Sequence, residues 1–288
     1  MRGYPGTRRT AGTTVCVVIP CHRWPLLPYE RVALDRCMTV LGGYATALVA
    51  PRTMNAAGLK RQYPMLRIEP FPDAYFAGVA GYNRMLLADE FYARFAMYEY
   101  ILIHQLDAFV FQDQLGAWCA RDFDYIGAPW LPRVQAPSAV RLIRAALRRR
   151  WYRLVDRHDP HHGGTHHAQY DYAVGNGGFS LRRVEGLRKV LRDHRRRLAR
   201  YIDYGHFTEG EDLFFCVEAN RYRRRVRTPG LREAAAFAWE SHPAAAAAIT
   251  GGRLPFGCHG WNRLHRDDWR PIFARFGIAL DELLQETA

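Results

Sequence analysis

The sequence predicts an α/β fold of the Rossmann-like kind, with a mostly parallel central sheet flanked by helices. Residues 14–50 read as strand, helix and strand, a βαβ unit that implies a parallel pair and a right-handed crossover. Residues 98–107 form an apolar run typical of a central strand in such a sheet. With 288 residues and 49% hydrophobic content, the chain is long enough to bury a substantial core.

The first half of the chain alternates between strand and helix patterns, as a doubly wound sheet requires. Apolar or β-branched runs predict strands at residues 14–20, 44–50, 67–71, 98–107 and 124–130. Apolar residues at helical spacing predict helices at residues 29–41 and 82–95, and a third ending near Cys119.

The second half is less regular. A basic helix at residues 140–155 leads into a polar loop with histidine and glycine at residues 158–167. A strand start at residues 173–181, an arginine-rich helix and a helix opened by residues 209–216 follow. No repeat or interdomain linker is visible, so we expect a flexible leader (1–13), one domain (14–270) and a C-terminal helix (271–288).

Composition excludes several classes of protein. The hydrophobic content and 13% aromatic residues argue against disorder. No apolar stretch approaches the roughly 20 residues that a membrane-spanning helix needs. The six cysteines show no CxxC pair and lie in apolar segments, which favours reduced thiols in a cytoplasmic protein over a disulfide framework or a zinc site.

The net charge of +13 comes almost entirely from arginine, since Lys60 and Lys189 are the only lysines. The arginines cluster at residues 141–157 and 182–200. Such clusters could bind phosphate-bearing lipid, nucleic acid or anionic glycans. A solvated helix face is the commoner outcome.

Asp107 ends the predicted central strand, where an open α/β sheet binds its ligands. A carboxylate there would face a cation or a sugar phosphate. Two structural alternatives stay open: an N-cap of the helix starting near Asp113, and a buried aspartate satisfied by backbone amides.

Three other segments carry residues suited to chemistry. Residues 175–178 hold three glycines in four positions, which permits close approach of a ligand but equally suits a tight turn. Glu209, Glu211 and Asp212 stand where a helix enters the core, so one of them could be a general base of raised pKa, although acids also favour helix starts for their own sake.

His259 lies between two glycines beside Trp261. A lone histidine is more often structural, but with Asp107 it offers an imidazole and an oxygen to a divalent cation, a mixture that suits Mn²⁺. The histidines of residues 158–167 have irregular spacing, so a specific metal site there is the weaker hypothesis.

An ordered set of segments resembles one family. They are residues 17–20 (VVIP), 29–31 (YER), 105–109 (QLDAF), 124–130 (DYIGAPW), 175–182 (GNGGFSLR), 211–215 (EDLFF) and 255–261 (PFGCHGW). This order, from about residue 15 to residue 261, resembles DUF5672, a bacterial and fungal family grouped with the glycosyltransferases of GT-A fold.

The resemblance implies an enzyme that transfers a sugar from a nucleotide-diphospho-sugar, with a UDP-sugar favoured, to a glycan or lipid-linked acceptor. GT-A enzymes commonly hold Mn²⁺ or Mg²⁺ with a DxD motif, which here reads QLD and keeps only its last aspartate. Asp107 and His259 are the implied metal ligands. By the same analogy Asp212, or failing it Glu211, is the implied base.

The resemblance also implies a nucleotide-sugar-binding half (14–130), an acceptor and catalytic half (170–262), and an intervening basic helix and loop (131–169). The implied donor-binding residues are Pro20, Glu30, Arg31, Gln105 and Asp107. The implied acceptor-binding residues are Trp130, Asn176, Gly177, Gly178 and Trp261. Arg23, Arg31 or Arg182 could contact the diphosphate as bidentate partners.

Two other functions remain open. A non-catalytic basic module could bind nucleic acid or an anionic glycan, but no helix-turn-helix, zinc-finger, RRM or KH pattern supports nucleic acid. The other is a GT-A fold that binds a sugar nucleotide or a glycan without catalysing transfer. We expect a cytoplasmic protein, and the arginine helices predict weak attachment to the inner, anionic face of a membrane.

Overall fold

The structure is a computed structural model that describes residues 14–132, 138–161, 163–203 and 210–286. The predicted leader and Glu209 lie outside these residues. Nine strands are assigned within them: β1 Val15–Pro20, β2 Ala45–Pro51, β3 Arg67–Phe71, β4 Tyr100–His104, β5 Ala108–Val110, β6 Tyr125–Pro129, β7 Val174–Arg183, β8 Ala238–Trp239 and β9 Gly257–His259.

The helices lie between and after these strands. Their bounds are α1 Pro28–Leu41, α2 Ala57–Gln62, α3 Gly78–Leu86, α4 Asp89–Arg94, α5 Leu115–Cys119, α6 Ala139–Leu154, α7 Val184–Asp193, α8 Arg195–Asp203, α9 Glu211–Leu213, α10 Leu231–Phe237, α11 Pro243–Thr250, α12 Arg266–Ala274 and α13 Leu280–Gln285. A π-helical turn, Phe214–Glu218, continues α9.

The main sheet has six strands among the described residues, in the order β3-β2-β1-β4-β7-β6. The pairs β2–β3, β1–β2 and β1–β4 are parallel, whereas β7 runs antiparallel to both β4 and β6. A second sheet of three strands, in the order β5-β9-β8, stands beside it. The predicted α/β fold with a mostly parallel sheet and flanking helices is therefore confirmed.

The central strands are apolar on both faces because helices cover both sides of the sheet. Along β1, Val17 and Ile19 join one core cluster while Cys16 and Val18 join the other, as the two-residue period of a strand requires. A third cluster contains Phe109, Trp261 and Phe273 and packs under the small sheet. The cores therefore hold the carboxyl ends of β1 and β4 in fixed register.

Several predicted boundaries are wrong. The helix expected at residues 82–95 is two helices, α3 and α4, and the C-terminal helix expected at residues 271–288 is replaced by α12 and α13. The central strand ends at His104, so Asp107 lies in the turn between β4 and β5 rather than on the strand. In each case the apolar pattern continues through a point where the chain changes direction, so the pattern does not reveal the boundary.

The glycine run at residues 175–178 is not a tight turn, because it lies inside the ten-residue strand β7. All six cysteines are described; they are buried and free, as the spacing predicted. Among the described residues, no helix combines the length and the apolar character that a membrane crossing requires.

Candidate active site

A cleft of about 430 Å³ opens where β1 and β4 end side by side. The chain leaves β1 toward β2 on one side and returns to β4 on the other, so the cleft is at the topological switch point of the sheet, where such folds bind ligands. Pro20, Glu30, Gln105 and Asp107, four of the five predicted donor-binding residues, line it. Four aromatic side chains complete the walls: Tyr29, Tyr75, Phe76 and Tyr82.

Asp107 and His259 meet at the edge of this cleft. The Nε2 atom of His259 is 3.0 Å from Oδ1 of Asp107 and 2.9 Å from Oε1 of Gln105. Its Nδ1 atom is 2.9 Å from Oε1 of Glu240, and Arg263 donates to Oδ2 of Asp107 at 2.6 Å. Asp107 is thus neither a helix cap nor satisfied by backbone amides alone, since its carboxylate contacts two cationic side chains.

The charges of this cluster fix its protonation. Burial opposes charge on His259, but the carboxylates of Asp107 and Glu240 outweigh it and raise the pKa of His259 to about 10. Burial also opposes charge on Asp107, while His259 and Arg263 hold the pKa of that carboxyl well below its usual range. Without a ligand, the cluster therefore holds an imidazolium between two carboxylates.

The donor atoms around His259 fit a divalent cation. One carboxylate oxygen and one amide oxygen lie within hydrogen-bond distance of the same imidazole nitrogen, and Glu240 orients the imidazole from behind as metal-site carboxylates do. The described residues contain no group of three or more His, Cys, Asp or Glu side chains placed to hold a metal ion. Oxygen atoms of a ligand would therefore have to complete the coordination.

Strand β7 brings this cluster next to the predicted acids. A Cβ atom on Gly178 would lie 2.2 Å from Nε2 of His259, and one on Gly177 would lie 2.2 Å from Oε1 of Glu211. Real side chains never approach so closely, so only glycine allows His259 and Glu211 to pack on opposite faces of the same strand. The amide of Gln105 donates to Gly178 O at 3.0 Å, which fixes this segment beside the end of β4.

Glu211 is part of a buried ion pair. Its Oε1 accepts from Nη2 of Arg182 at 2.8 Å, and both side chains are almost fully buried. Arg182 also donates to Ser180, Tyr92, Tyr125 and the backbone of Gly177. This contradicts two predictions: Glu211 is too enclosed to serve as the base, and Arg182 cannot reach a diphosphate.

Asp212 stays accessible beside that pair. It is partly exposed, and its Oδ1 accepts from the amide of Leu213 at 2.8 Å. Burial of the carboxyl and the charge of Glu211, with a smaller contribution from Glu240, raise the pKa of Asp212 to about 8. A carboxyl of this kind is a stronger base than an ordinary aspartate, which suits proton abstraction from a hydroxyl group.

Two further predicted site residues lie elsewhere. Trp261 is fully buried and packs against Tyr29, Phe109 and Phe273, so it is a core residue rather than an acceptor contact. Arg31 is exposed on α1 and is not among the residues that line the cleft. Trp261 lies in the turn after β9 and packs into the core, whereas Arg31 lies on the exposed side of α1.

The remaining predicted residues lie near the site. The ring of Trp130 lies over Gly175, and Oδ1 of Asn176 accepts from the amide of Gly178 at 3.2 Å. Arg23 pairs with Glu30 at 2.9 Å beside the cleft. In the predicted His158–His167 loop, His162 lies outside the described residues, and His158 and His167 bond to Gly163 O and Asp171.

Sequence reasoning missed Glu240, Arg263 and Tyr82. Glu240 directly follows the two-residue strand β8, and Arg263 follows the predicted segment that contains His259 by only two residues. Tyr82 lines the cleft near the Arg182–Glu211 pair, whose charges act on its hydroxyl. An acidic residue at the end of a strand would have pointed to Glu240. With only two residues, however, β8 is too short to be predicted as a strand from the sequence.

The fold is that of the GT-A glycosyltransferases. The WbbM bifunctional glycosyltransferase superposes with a TM-score of 0.50 at 10% identity, covering 98% of this chain and 53% of WbbM. Core-mannan synthase A of Aspergillus fumigatus in its Mn/GDP form superposes with a TM-score of 0.49 at 12% identity, covering 74% of this chain and 72% of the synthase. Mouse xyloside xylosyltransferase 1 superposes with a TM-score of 0.46 at 11% identity, covering 86% of this chain and 97% of the xylosyltransferase.

The family follows from the sequence itself. The family model described as a protein of unknown function, DUF5672, matches residues 65–259, and this chain belongs to that family. No curated protein matches the sequence. The chain spans about half the length of WbbM.

Proposed function

We propose that the protein is a glycosyltransferase that moves a sugar from a nucleotide-diphospho-sugar to a hydroxyl group of a glycan or lipid-linked acceptor. The observation that carries this proposal is that Gly178 lies against His259 of the Asp107–His259 pair while Gly177 lies against Glu211. Asp212, whose carboxyl has a raised pKa, directly follows Glu211 in the chain. A GT-A fold with a donor cleft on one side and a base on the other supplies both halves of a transfer reaction.

The cleft suits a nucleotide-sugar donor, for which we favour a UDP-sugar. Tyr29, Tyr75, Phe76 and Tyr82 offer flat apolar faces for a base or a sugar ring. Arg263 already contacts Asp107 at the cleft and is largely exposed, so it can turn toward a diphosphate. It replaces Arg31 and Arg182 as the arginine best placed for that task.

Asp107 and His259 would hold Mn²⁺ or Mg²⁺, with Gln105 beside them and Glu240 orienting the imidazole. When bound, the cation would neutralise the negative charge of the leaving diphosphate. His259 has to release the proton on Nε2 for this, and Glu240 remains hydrogen-bonded to Nδ1. We infer that cation and proton compete for the same nitrogen.

Asp212 would act as the general base. Its carboxylate accepts the proton of the acceptor hydroxyl while the oxygen of that hydroxyl forms its bond to the anomeric carbon and the bond to the diphosphate breaks. The buried Arg182–Glu211 pair fixes the start of α9 and keeps a negative charge beside Asp212. That charge strengthens the base.

Thermal unfolding with UDP-, GDP-, TDP- and CMP-sugars, each with and without Mn²⁺, tests the donor site. A ligand at 100 times its Kd adds about 2.7 kcal/mol to the native state, a rise of a few degrees. We expect a metal-dependent rise with one nucleotide class that the Asp107→Asn variant loses. The exposed Asp267 gives the matched control, Asp267→Asn.

Turnover of the stabilising donor tests the reaction itself. Asp107→Asn should remove turnover while the protein stays folded. Stabilisation by a donor without any turnover would show a binding protein on this fold. No stabilisation by any donor, or full turnover in Asp107→Asn, would contradict the proposal.

A further inference from the structure

Helix α6 turns its apolar side toward solvent. Val140, Ile143, Leu147 and Trp151 are exposed by 57%, 61%, 65% and 63%, and Leu154 by 46%. Their spacing of three or four residues places them on one line along the helix. Together with Val155, they are six of the eleven large apolar side chains that are exposed among the described residues. We refer to residues 140, 143, 147, 151 and 154 as the α6 stripe.

The opposite side of α6 is attached to the protein mainly by arginine. Arg148 pairs with Asp171 at 2.8 Å, Arg149 donates to Asp171 O at 2.8 Å, and Arg153 donates to Gln169 O at 2.7 Å. Ala145 is the one buried residue of the helix. An amphipathic helix normally buries its apolar stripe in the core. In α6 the polar side is used for internal contacts, which leaves the α6 stripe for a partner outside the chain.

The charge around the α6 stripe is of one sign. Arg141 lies on one side of the stripe and Arg150 on the other, with Arg144 at its edge, as the helical repeat requires. Helix α6 contains no acidic residue. Arg141, Arg144 and Arg150 form no ion pair with any described residue. The partner of this surface therefore has an apolar interior bordered by negative charge.

We propose that α6 docks on the surface of an anionic lipid bilayer. Apolar side chains of the α6 stripe enter the boundary between headgroups and acyl chains, and the flanking arginines contact lipid phosphates. Trp151 sits within the stripe and suits that boundary, because its ring has an apolar body and a polar N–H. The attachment lies on one helix face and does not depend on the enzymatic activity.

A second copy of the chain fits the same surface less well. Two α6 helices placed against each other would bring two sets of arginines together with no carboxylate from either helix between them. A helix of 16 residues is about 24 Å long. One exposed line along it offers far less than the roughly 800 Å² per partner of a standard interface.

The position of α6 would bring the bilayer near the acceptor side of the site. A cavity of about 340 Å³ separates Leu142, Arg149 and Arg153 of α6 from Cys216, which follows Asp212 by four residues. An acceptor carried by a membrane lipid would thus be held at the helix that forms one wall of this cavity, although the cavity lies on the side of α6 opposite the stripe. This consequence holds only with the proposed function, whereas the docking itself is tested without it.

Flotation of the full chain with vesicles tests the docking. We expect binding to vesicles of phosphatidylcholine with phosphatidylglycerol at low salt, and weak or no binding to phosphatidylcholine alone. The double variant Leu147→Ser/Trp151→Ser should lower the vesicle affinity by about tenfold or more, since both side chains are exposed in the free protein. Met65→Ser/Met97→Ser removes two apolar side chains elsewhere that are even more exposed, and this variant should bind as the wild type does.

Charge and depth of insertion are tested separately. Arg144→Glu/Arg150→Glu should abolish binding to anionic vesicles at low salt. Lipids with brominated acyl chains should quench the fluorescence of Trp151, and Trp151→Phe should remove that quenching. The proposal would be overturned if the wild-type chain did not float with anionic vesicles. It would also be overturned if Leu147→Ser/Trp151→Ser bound these vesicles as tightly as the wild type does. A dimer in light scattering that the same variant dissociates would instead show that the α6 stripe binds a second copy.

Discussion

Asp212, the proposed base, carries an unfavourable charge when it is ionised in the folded protein. Its folded-state pKa of about 8 lies above its ordinary value of 3.8, because the carboxyl is partly buried beside Glu211. The folded protein therefore binds this proton more tightly than the unfolded chain. The stability that this provides is full below about pH 4 and is lost as the pH rises through 8.

Asp212→Asn should therefore separate activity from stability. We expect turnover to fall by about 10²- to 10⁴-fold, since the base is removed. The melting temperature above about pH 8 should rise, because asparagine cannot acquire the unfavourable charge. Turnover of the wild type should increase as the pH rises through about 8. Turnover in the variant equal to that of the wild type would contradict the assignment of Asp212 as the base. A wild-type turnover that does not rise through about pH 8 would contradict it as well.

The Arg182–Glu211 pair should show the asymmetry of buried ion pairs. Arg182→Met leaves the Glu211 carboxylate buried without its partner, which should lower the free energy of unfolding by about 3–5 kcal/mol. The double variant Arg182→Met/Glu211→Gln should recover much of this loss, since no unpaired charge remains. Urea unfolding of both variants measures the difference, and an equally unstable double variant would argue against the ion pair as the cause.

At the scale of elements, strand β7 is what joins the two halves of the site. It is the antiparallel strand of the main sheet, and its glycine segment lies between His259 and Glu211. A strand with side chains at positions 177 and 178 would push one or both away. The sequence alone does not distinguish this use of glycine from a turn, because both require a missing Cβ.

Gly178→Ala should disrupt the cluster around His259. The added methyl group would lie 2.2 Å from the imidazole, so the ring or the strand has to move. We expect calorimetric affinity for the metal–nucleotide pair to fall by about tenfold or more. Gly230→Ala is the matched control, because a Cβ there meets nothing within 4 Å. Unchanged affinity in Gly178→Ala would contradict the proposed role of His259 as a metal ligand.

At the scale of the whole molecule, two groups of the site hold protons more tightly when folded. The pKa of His259 rises from 6.5 to about 10, so its contribution to stability is full below pH 6.5 and is lost as the pH rises through 10. The pKa of Asp212 is also raised, and its contribution to stability is lost at lower pH, as the pH rises through about 8. Both effects reduce stability as the solution becomes alkaline.

The free energy of unfolding in the presence of a chelator should therefore fall between about pH 5 and pH 9. Urea titrations across this range measure the slope. The double variant Asp212→Asn/His259→Gln should flatten it, whereas Asp267→Asn, an exposed aspartate, should leave it unchanged. A wild-type profile that is flat or rises with pH would contradict the proton uptake that these two surroundings imply.

Sequence alone determined the fold class, the parallel order of the first strands and the segments that carry Asp107, His259 and Asp212, because strand periodicity and strand ends are local properties. Tertiary structure decided which side chains meet. It buried Arg182, Glu211 and Trp261, brought Glu240 to His259 across 19 residues, and turned the apolar side of α6 outward. Burial and pairing depend on neighbours distant in the chain, and no local pattern encodes them.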